Sequence, residues 1–156
     1  MLSPELKSIY LKIQNYCALS ERCESQVQVK LKQWGVNDLD IATCMELLIA
    51  DDFVDNMRYA RFFVSDKFRL QRWGKMKIIH HLRAKGIAGQ QIDSALKLEI
   101  VEEEYLNTLY QLARKKLVLL GHVHPLLLRK QKLLQFLLQK GFEPDLANKE
   151  VHALVK

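Results

Sequence analysis

Helix-breaking residues are scarce in this chain: 156 residues contain six glycines and three prolines. Those few fall between long segments of helical apolar periodicity, not between alternating ones, so the backbone has few places to turn sharply. Cysteine is equally thin. Cys17, Cys23 and Cys44 form an odd set without a C-x-x-C pair, which argues against a disulfide framework and a zinc site and predicts buried, idle thiols. Long apolar runs are missing too, and none approaches the roughly 20 residues a membrane-spanning helix needs. Met1 to Tyr16 is the one N-terminal candidate for a targeting segment, and Pro4, Glu5, Lys7 and Lys12 interrupt it. The expectation is a cytoplasmic protein with no membrane partner.

Catalytic signatures are absent as well. There is no Gly-rich phosphate loop, no G-x-S-x-G elbow, no H-E-x-x-H and no Cys with a plausibly placed His, so the chain is expected to be no enzyme and to carry no cofactor. His80-His81 and His122-Val123-His124 have no acid or thiol at ligand spacing, and neighbours on a helix diverge by about 100°. No metal is expected. Asp51, Asp52 and Asp55 resemble a carboxylate site, but acids opening a helix serve capping and the macrodipole, and Asp55 is assigned as an N-cap.

What is present is ordinary globular composition, 49% hydrophobic and 27% charged, and enough length to bury a core. The formal charge of +6 is modest but very uneven: from Arg58 to Lys85 nine Lys or Arg face one acid, Asp66, for a net +8, while the remaining residues sum to −2. A solvated basic surface and a binding site both fit a charge run; a ratio of nine to one favours binding of a polyanion. The charges lie on amphipathic patterns and not on a low-complexity tail. Tyr59, Phe62, Phe63 and Leu70 recur at helical spacing, as do Ile78, Ile79 and Leu82, and Leu109, Leu112, Ala113 and Leu117. Each stripe is expected to face a core, and the fold class is all-α.

The chain also resembles itself. K-L-K-Q-W-G-V (Lys30 to Val36), H-L-R-A-K-G-I (His81 to Ile87) and F-L-L-Q-K-G-F (Phe136 to Phe142) each place a Leu four residues before a Gly, an apolar residue four before that Leu, and an apolar residue after the Gly. The pattern predicts three helices ended by a left-handed Gly at C′, with the next side chain folded back on the last turn. The spacing leaves room for three short helices per repeat. Three tandem three-helix repeats are expected, over residues 1–52, 53–101 and 102–156, forming an elongated, curved protein.

The run L-L-I-A-D-D-F-V-D-N-M-R-Y-A-R-F-F-V (Leu47 to Val64) followed by R-W-G-K-M-K-I-I-H-H-L-R-A-K-G-I (Arg72 to Ile87) closely resembles the central signature of the RecX family, modulators of the RecA recombinase. Asp55 looks like the acid opening that helix, Arg58, Tyr59 and Ala60 like its basic, aromatic and Ala cluster, and Lys85-Gly86-Ile87 like its close. Ser20-Glu21, Val27, Lys30, Leu31, Trp34 and Gly35 are similar to the opening unit. Here the third unit lacks the acid, basic, aromatic cluster of the second. The resemblance implies three three-helix repeats, binding in the groove of a RecA filament on single-stranded DNA, and modulation, in the inhibitory direction, of its ATPase, recombinase and coprotease activities. It implies RecA and single-stranded DNA as partners of a monomer.

Helical arithmetic assigns the binding face. Arg58, Arg61, Ser65, Arg69 and Arg72 lie three or four apart in one stripe, opposite Tyr59, Phe62 and Phe63. With a further helix opening near Trp73-Gly74, Lys75, Lys77, Arg83 and Lys85 extend the basic area. Charge reversal at Arg58, Arg61 or Arg69 is therefore expected to abolish the effect on RecA. Arg114-Lys115-Lys116, Arg129-Lys130 and Lys132 carry less weight, because Glu99 and Glu102 to Glu104 dilute the field there. Trp34 and Trp73 are each expected to cover a helix end, with base stacking by Trp73 as the alternative. The alternative functions are a general helical DNA-binding protein acting without RecA, and a helical scaffold for another acidic protein.

Overall fold

The computed structural model describes residues 2–156; Met1, the first residue of the Met1–Tyr16 segment, lies outside the described residues. Nine helices and no strands occur among them. They are α1 (Pro4–Leu19), α2 (Glu24–Gln33), α3 (Asp38–Ala50), α4 (Asn56–Arg69), α5 (Lys75–Ala84), α6 (Gly89–Glu99), α7 (Glu102–Leu119), α8 (Leu126–Gln139) and α9 (Pro144–Leu154). Packing is densest within consecutive triplets, α1–α3, α4–α6 and α7–α9, so the chain is an all-α protein of three-helix repeats. No helix is long and apolar enough to cross a membrane among the described residues.

Local chemistry explains where the helices start. Ser3 Oγ accepts from Leu6 N at 3.2 Å ahead of Pro4, Asn37 Oδ1 from Asp40 N at 2.9 Å, and Asp55 Oδ1 from Arg58 N at 3.0 Å, the N-cap role assigned to it. The three repeat glycines end α2, α5 and α8 as expected. Gly35, Gly86 and Gly141 have φ of +80°, +80° and +100°. Behind them Val36, Ile87 and Phe142 donate to the carbonyls of Leu31, Leu82 and Leu137 at 3.1, 3.1 and 3.2 Å, the 6→1 bond of a Schellman cap.

Two apolar cores result. One belongs to α1–α3 and includes Ile13, Val27, Leu31, Cys44, Leu48 and Val54. The other runs without a break through α4–α9, with Phe63, Phe68, Ile78, Tyr105, Leu133 and Phe142 among its members. All three cysteines are free and buried. Burial pushes the Cys17 and Cys44 thiols up, away from reactive thiolate.

The expected stripe on α4 is half right. Tyr59, Ala60, Phe63, Val64 and Phe68 are its buried residues, whereas Phe62 is 48% and Leu70 74% exposed. The core contact follows the i, i+4 rows 59–63 and 60–64, which turns Phe62 to the outside beside Arg58, Arg61 and Ser65. Leu70 sits past the last helical residue. Ile79 and Leu117 are half-buried at the edges of their stripes.

Candidate functional site

The cations of the middle repeat divide into two sets. Arg58 Nε lies 2.9 Å from a Glu21 carboxylate oxygen, Arg61 Nε 2.8 Å from Glu99, Arg69 Nη1 3.5 Å from Glu104 and Lys75 Nζ 3.2 Å from Glu102. Three of these four pairs join neighbouring triplets: Arg58 reaches back to the α1–α2 loop, and Arg69 and Lys75 reach forward to α7. Of the acids expected to dilute the Arg114 cluster, Glu99 and Glu104 meet α4 arginines and Glu102 meets Lys75 of α5. Between 40% and 51% of each arginine side chain stays exposed, so each pair contributes at most about 1 kcal/mol.

Arg72, Lys77, Arg83 and Lys85 form no ion pair among the described residues. Arg72 also leaves the expected stripe. Helix α4 stops at Arg69, and Arg72 adopts a left-handed φ of +57° in the turn that follows, which carries it towards the start of α5. Trp73 is half-buried at that corner, edge-on to Phe63 at 6.2 Å between ring centroids and against the His81 ring at 4.7 Å. It covers a helix end, as expected. Two ammonium groups lie over its ring, Lys77 Nζ at 4.3 Å and Lys67 Nζ at 5.1 Å. Lys67 has one long contact, 3.8 Å, to Asp66.

A further cation enters from the third triplet. Lys140 Nζ donates to the Gln71 carbonyl at 2.8 Å, and burial together with the charges of Lys77 and Arg72 holds its ammonium below the ordinary lysine range. Arg72, Lys77 and Lys140 therefore form a like-charged group at this corner, with Lys77 over the Trp73 ring, spanning α4–α6 and α7–α9. Such an arrangement costs free energy until an anion enters it. Sequence reading missed Lys67, although it was counted in the basic span, and Lys140. The signal for Lys140 was the repeat itself, since Lys140-Gly141 occupies the place of Lys85-Gly86.

The same junction is fixed by backbone chemistry. Helix α5 begins at Gly74, which has no side chain to cap it, and its first N–H groups are taken by the third triplet. Gly74 N donates to Lys140 O at 2.7 Å, Lys75 N to the Tyr105 hydroxyl at 2.9 Å and Met76 N to Gly141 O at 2.9 Å. Tyr105 is fully buried and its hydroxyl donates to Glu143. Burial, reinforced by the Glu143 carboxylate, pushes its ionisation far above the ordinary range. A Cβ on Gly74 would overlap the Gly141 backbone, so the two chains meet at van der Waals contact. The cation group is thus mounted on a rigid seam. No three His, Cys, Asp or Glu side chains converge in a way that could hold a metal among the described residues.

Three-helix units in tandem, with paired cations along their joints and an unpaired cationic corner, define an all-α helical-repeat protein. Comparison with known proteins narrows this: residues 55–96 match the second three-helix domain of RecX and residues 102–150 the third. Regulatory protein RecX of Clostridium acetobutylicum is 32% identical over 78% of this chain and 56% of its own length. The RecX regulatory protein of Levilactobacillus brevis is 31% identical over 93% of this chain and 54% of its own. A crystal structure of RecX from Lactobacillus salivarius superposes with a TM-score of 0.85 at 24% identity, covering 98% of both chains. The chain belongs to the RecX family. It spans about half the length of the curated relatives first matched.

Proposed function

We propose that this chain regulates the RecA recombinase by binding the RecA filament on single-stranded DNA and restraining its ATPase, recombinase and coprotease activities. It acts as a cytoplasmic monomer with no catalysis of its own. Family membership supports the partner. The observation that carries the contact surface is the unpaired group of Arg72, Lys77 and Lys140 at the α4–α5 corner, with Lys77 over the Trp73 ring. Arg83, further along α5, extends it, whereas Lys85 at the far end lines the cleft beside Tyr16 and Lys30. Arg58, Arg69 and Lys75 tie neighbouring triplets together and Arg61 ties α4 to α6, so these four present that surface and add direct contact only through their exposed tips.

The test is a titration of RecA ATPase on single-stranded DNA at two salt concentrations. The variant Arg72→Glu/Lys77→Glu is expected to lose inhibition, and Arg61→Glu to keep most of it. Undiminished inhibition by the double variant overturns the assigned surface. Inhibition that vanishes when DNA is in excess identifies plain DNA binding in place of RecA regulation.

A further inference from the structure

The first triplet carries a second cationic feature, outside the residues that match the second and third RecX domains. Along α1 and α2, cations and aromatic rings alternate. The Arg22 guanidinium lies 4.0 Å from the Tyr16 ring centroid, and Lys30 Nζ lies 5.3 Å from Tyr16 and 5.8 Å from Trp34. Lys12 Nζ also lies 4.6 Å from Trp34. The strip reads Arg22, Tyr16, Lys30, Trp34, Lys12. None of its three cations is ion-paired among the described residues, in contrast to the α4 stripe, where every arginine meets an acid.

Both rings are half-buried and pack one side on the α1–α3 core, so they are held in place before any ligand arrives. Tyr16 and Lys30 line a cleft of about 400 Å³ whose opposite wall is Ala84 and Lys85 at the end of α5. Apolar rings set on a rigid core, unpaired cations between them and a cleft with a lysine on each wall are the requirements for holding a flexible polyanion with flat bases. The rings and the guanidinium plane take bases by stacking, and the ammonium groups take phosphates. A folded acidic protein surface offers the charge but not the flat faces.

We propose that this strip is a binding site for single-stranded nucleic acid, separate from the Trp73 corner and active without RecA. The two sites lie at opposite ends of α5, a helix of 10 residues and therefore about 15 Å long, so one strand can bridge them.

The protein has two tryptophans, Trp34 in the strip and Trp73 in the corner, which makes each site separately visible. In Trp73→Phe, an oligodeoxythymidylate of about 16 nucleotides is added without RecA and the Trp34 fluorescence is followed. Saturable quenching is expected. Lys12→Glu and Lys30→Glu, tested in that background, should each weaken binding by roughly tenfold and lower the salt slope by about 0.7 per lysine lost. Lys12 is exposed on α1, so its variant leaves the fold intact should Lys30→Glu disturb it. No quenching of Trp34, quenching confined to Trp73 in the converse Trp34→Phe protein, or equal competition by polyglutamate each overturns the proposal. Failure here leaves the RecA ATPase result standing, and failure there leaves this one.

Discussion

Gly141 and Gly35 perform the same local task and sit in opposite surroundings, so replacing each by alanine separates backbone conformation from packing. Both hold a left-handed φ, +100° and +80°, and an alanine there costs about 1 to 2 kcal/mol from Cβ sterics. At Gly35 nothing lies within 4 Å of the added Cβ, so that cost is the whole effect. At Gly141 the Cβ would overlap Lys77 Cβ and come within 2.8 Å of Lys77 N and 3.0 Å of Gly74 O. The turn must withdraw from α5. Overpacking of this kind adds about 1 to 3 kcal/mol. Weakening the Gly74–Lys140 and Met76–Gly141 bonds adds about 0.5 to 1.5 kcal/mol each. Gly141→Ala is therefore expected to lose about 3 to 8 kcal/mol, a large part of the ~5 to 15 kcal/mol that holds a typical domain. Urea unfolding followed by far-ultraviolet circular dichroism measures both variants under one condition. A Gly141→Ala loss within about 0.5 kcal/mol of the Gly35→Ala loss would falsify the packed seam between the second and third triplets.

Tyr105→Phe removes the acceptor of Lys75 N and the donor to Glu143 at one buried point; at about 1 kcal/mol for the neutral bond and 1.5 to 3 for the charged one, its urea midpoint should fall by the equivalent of roughly 2 to 4 kcal/mol. A loss near zero would mean that water replaces the hydroxyl there. Alkaline pH should unfold the protein earlier, because burial pushes the Tyr59 hydroxyl from its ordinary 10.0 up to about 12. The unfolded state then releases its proton first, so stability is intact below about pH 10 and declines by about 1.4 kcal/mol per pH unit towards pH 12. Tyr59→Phe should remove that part of the slope, and an unchanged slope in the variant refutes the assignment.

Features governed by a few neighbouring residues were legible in the sequence. The Asp55 cap and the Gly35, Gly86 and Gly141 turns are closed by bonds to residues three to five positions away, and the structure shows them where the pattern placed them. Charge pairing was not legible. Arg58 finds Glu21 across 37 positions, Arg61 finds Glu99 across 38 and Lys75 finds Glu102 across 27, and no periodicity within one helix encodes those distances. Phe62 shows a subtler limit. An aromatic beside Phe63 looks like core on composition, yet one step along a helix is about 100°, enough to put it among the arginines. The unpaired cations lie at the α4–α5 corner and not on the α4 face, because α4 ends three residues before Arg72.

Borrowed capping at α5 has a consequence for how the molecule is made. The core of α1–α3 draws on residues from Leu6 to Val54 and the Glu24 N–H at the head of α2 is taken by Asn56 Oδ1, so this triplet can close once the start of α4 has left the ribosome. The middle triplet cannot finish: the acceptors for its central helix lie at Tyr105, Lys140 and Gly141, and its apolar residues share one cluster with those of α7–α9. Until Gly141 emerges, the first N–H groups of α5 have only water to bond. Growth of the chain is therefore one early closure followed by a single late one that welds two repeats together. Native-state hydrogen exchange should open along that division, with α4 to α9 protected as a unit and α1 to α3 as another.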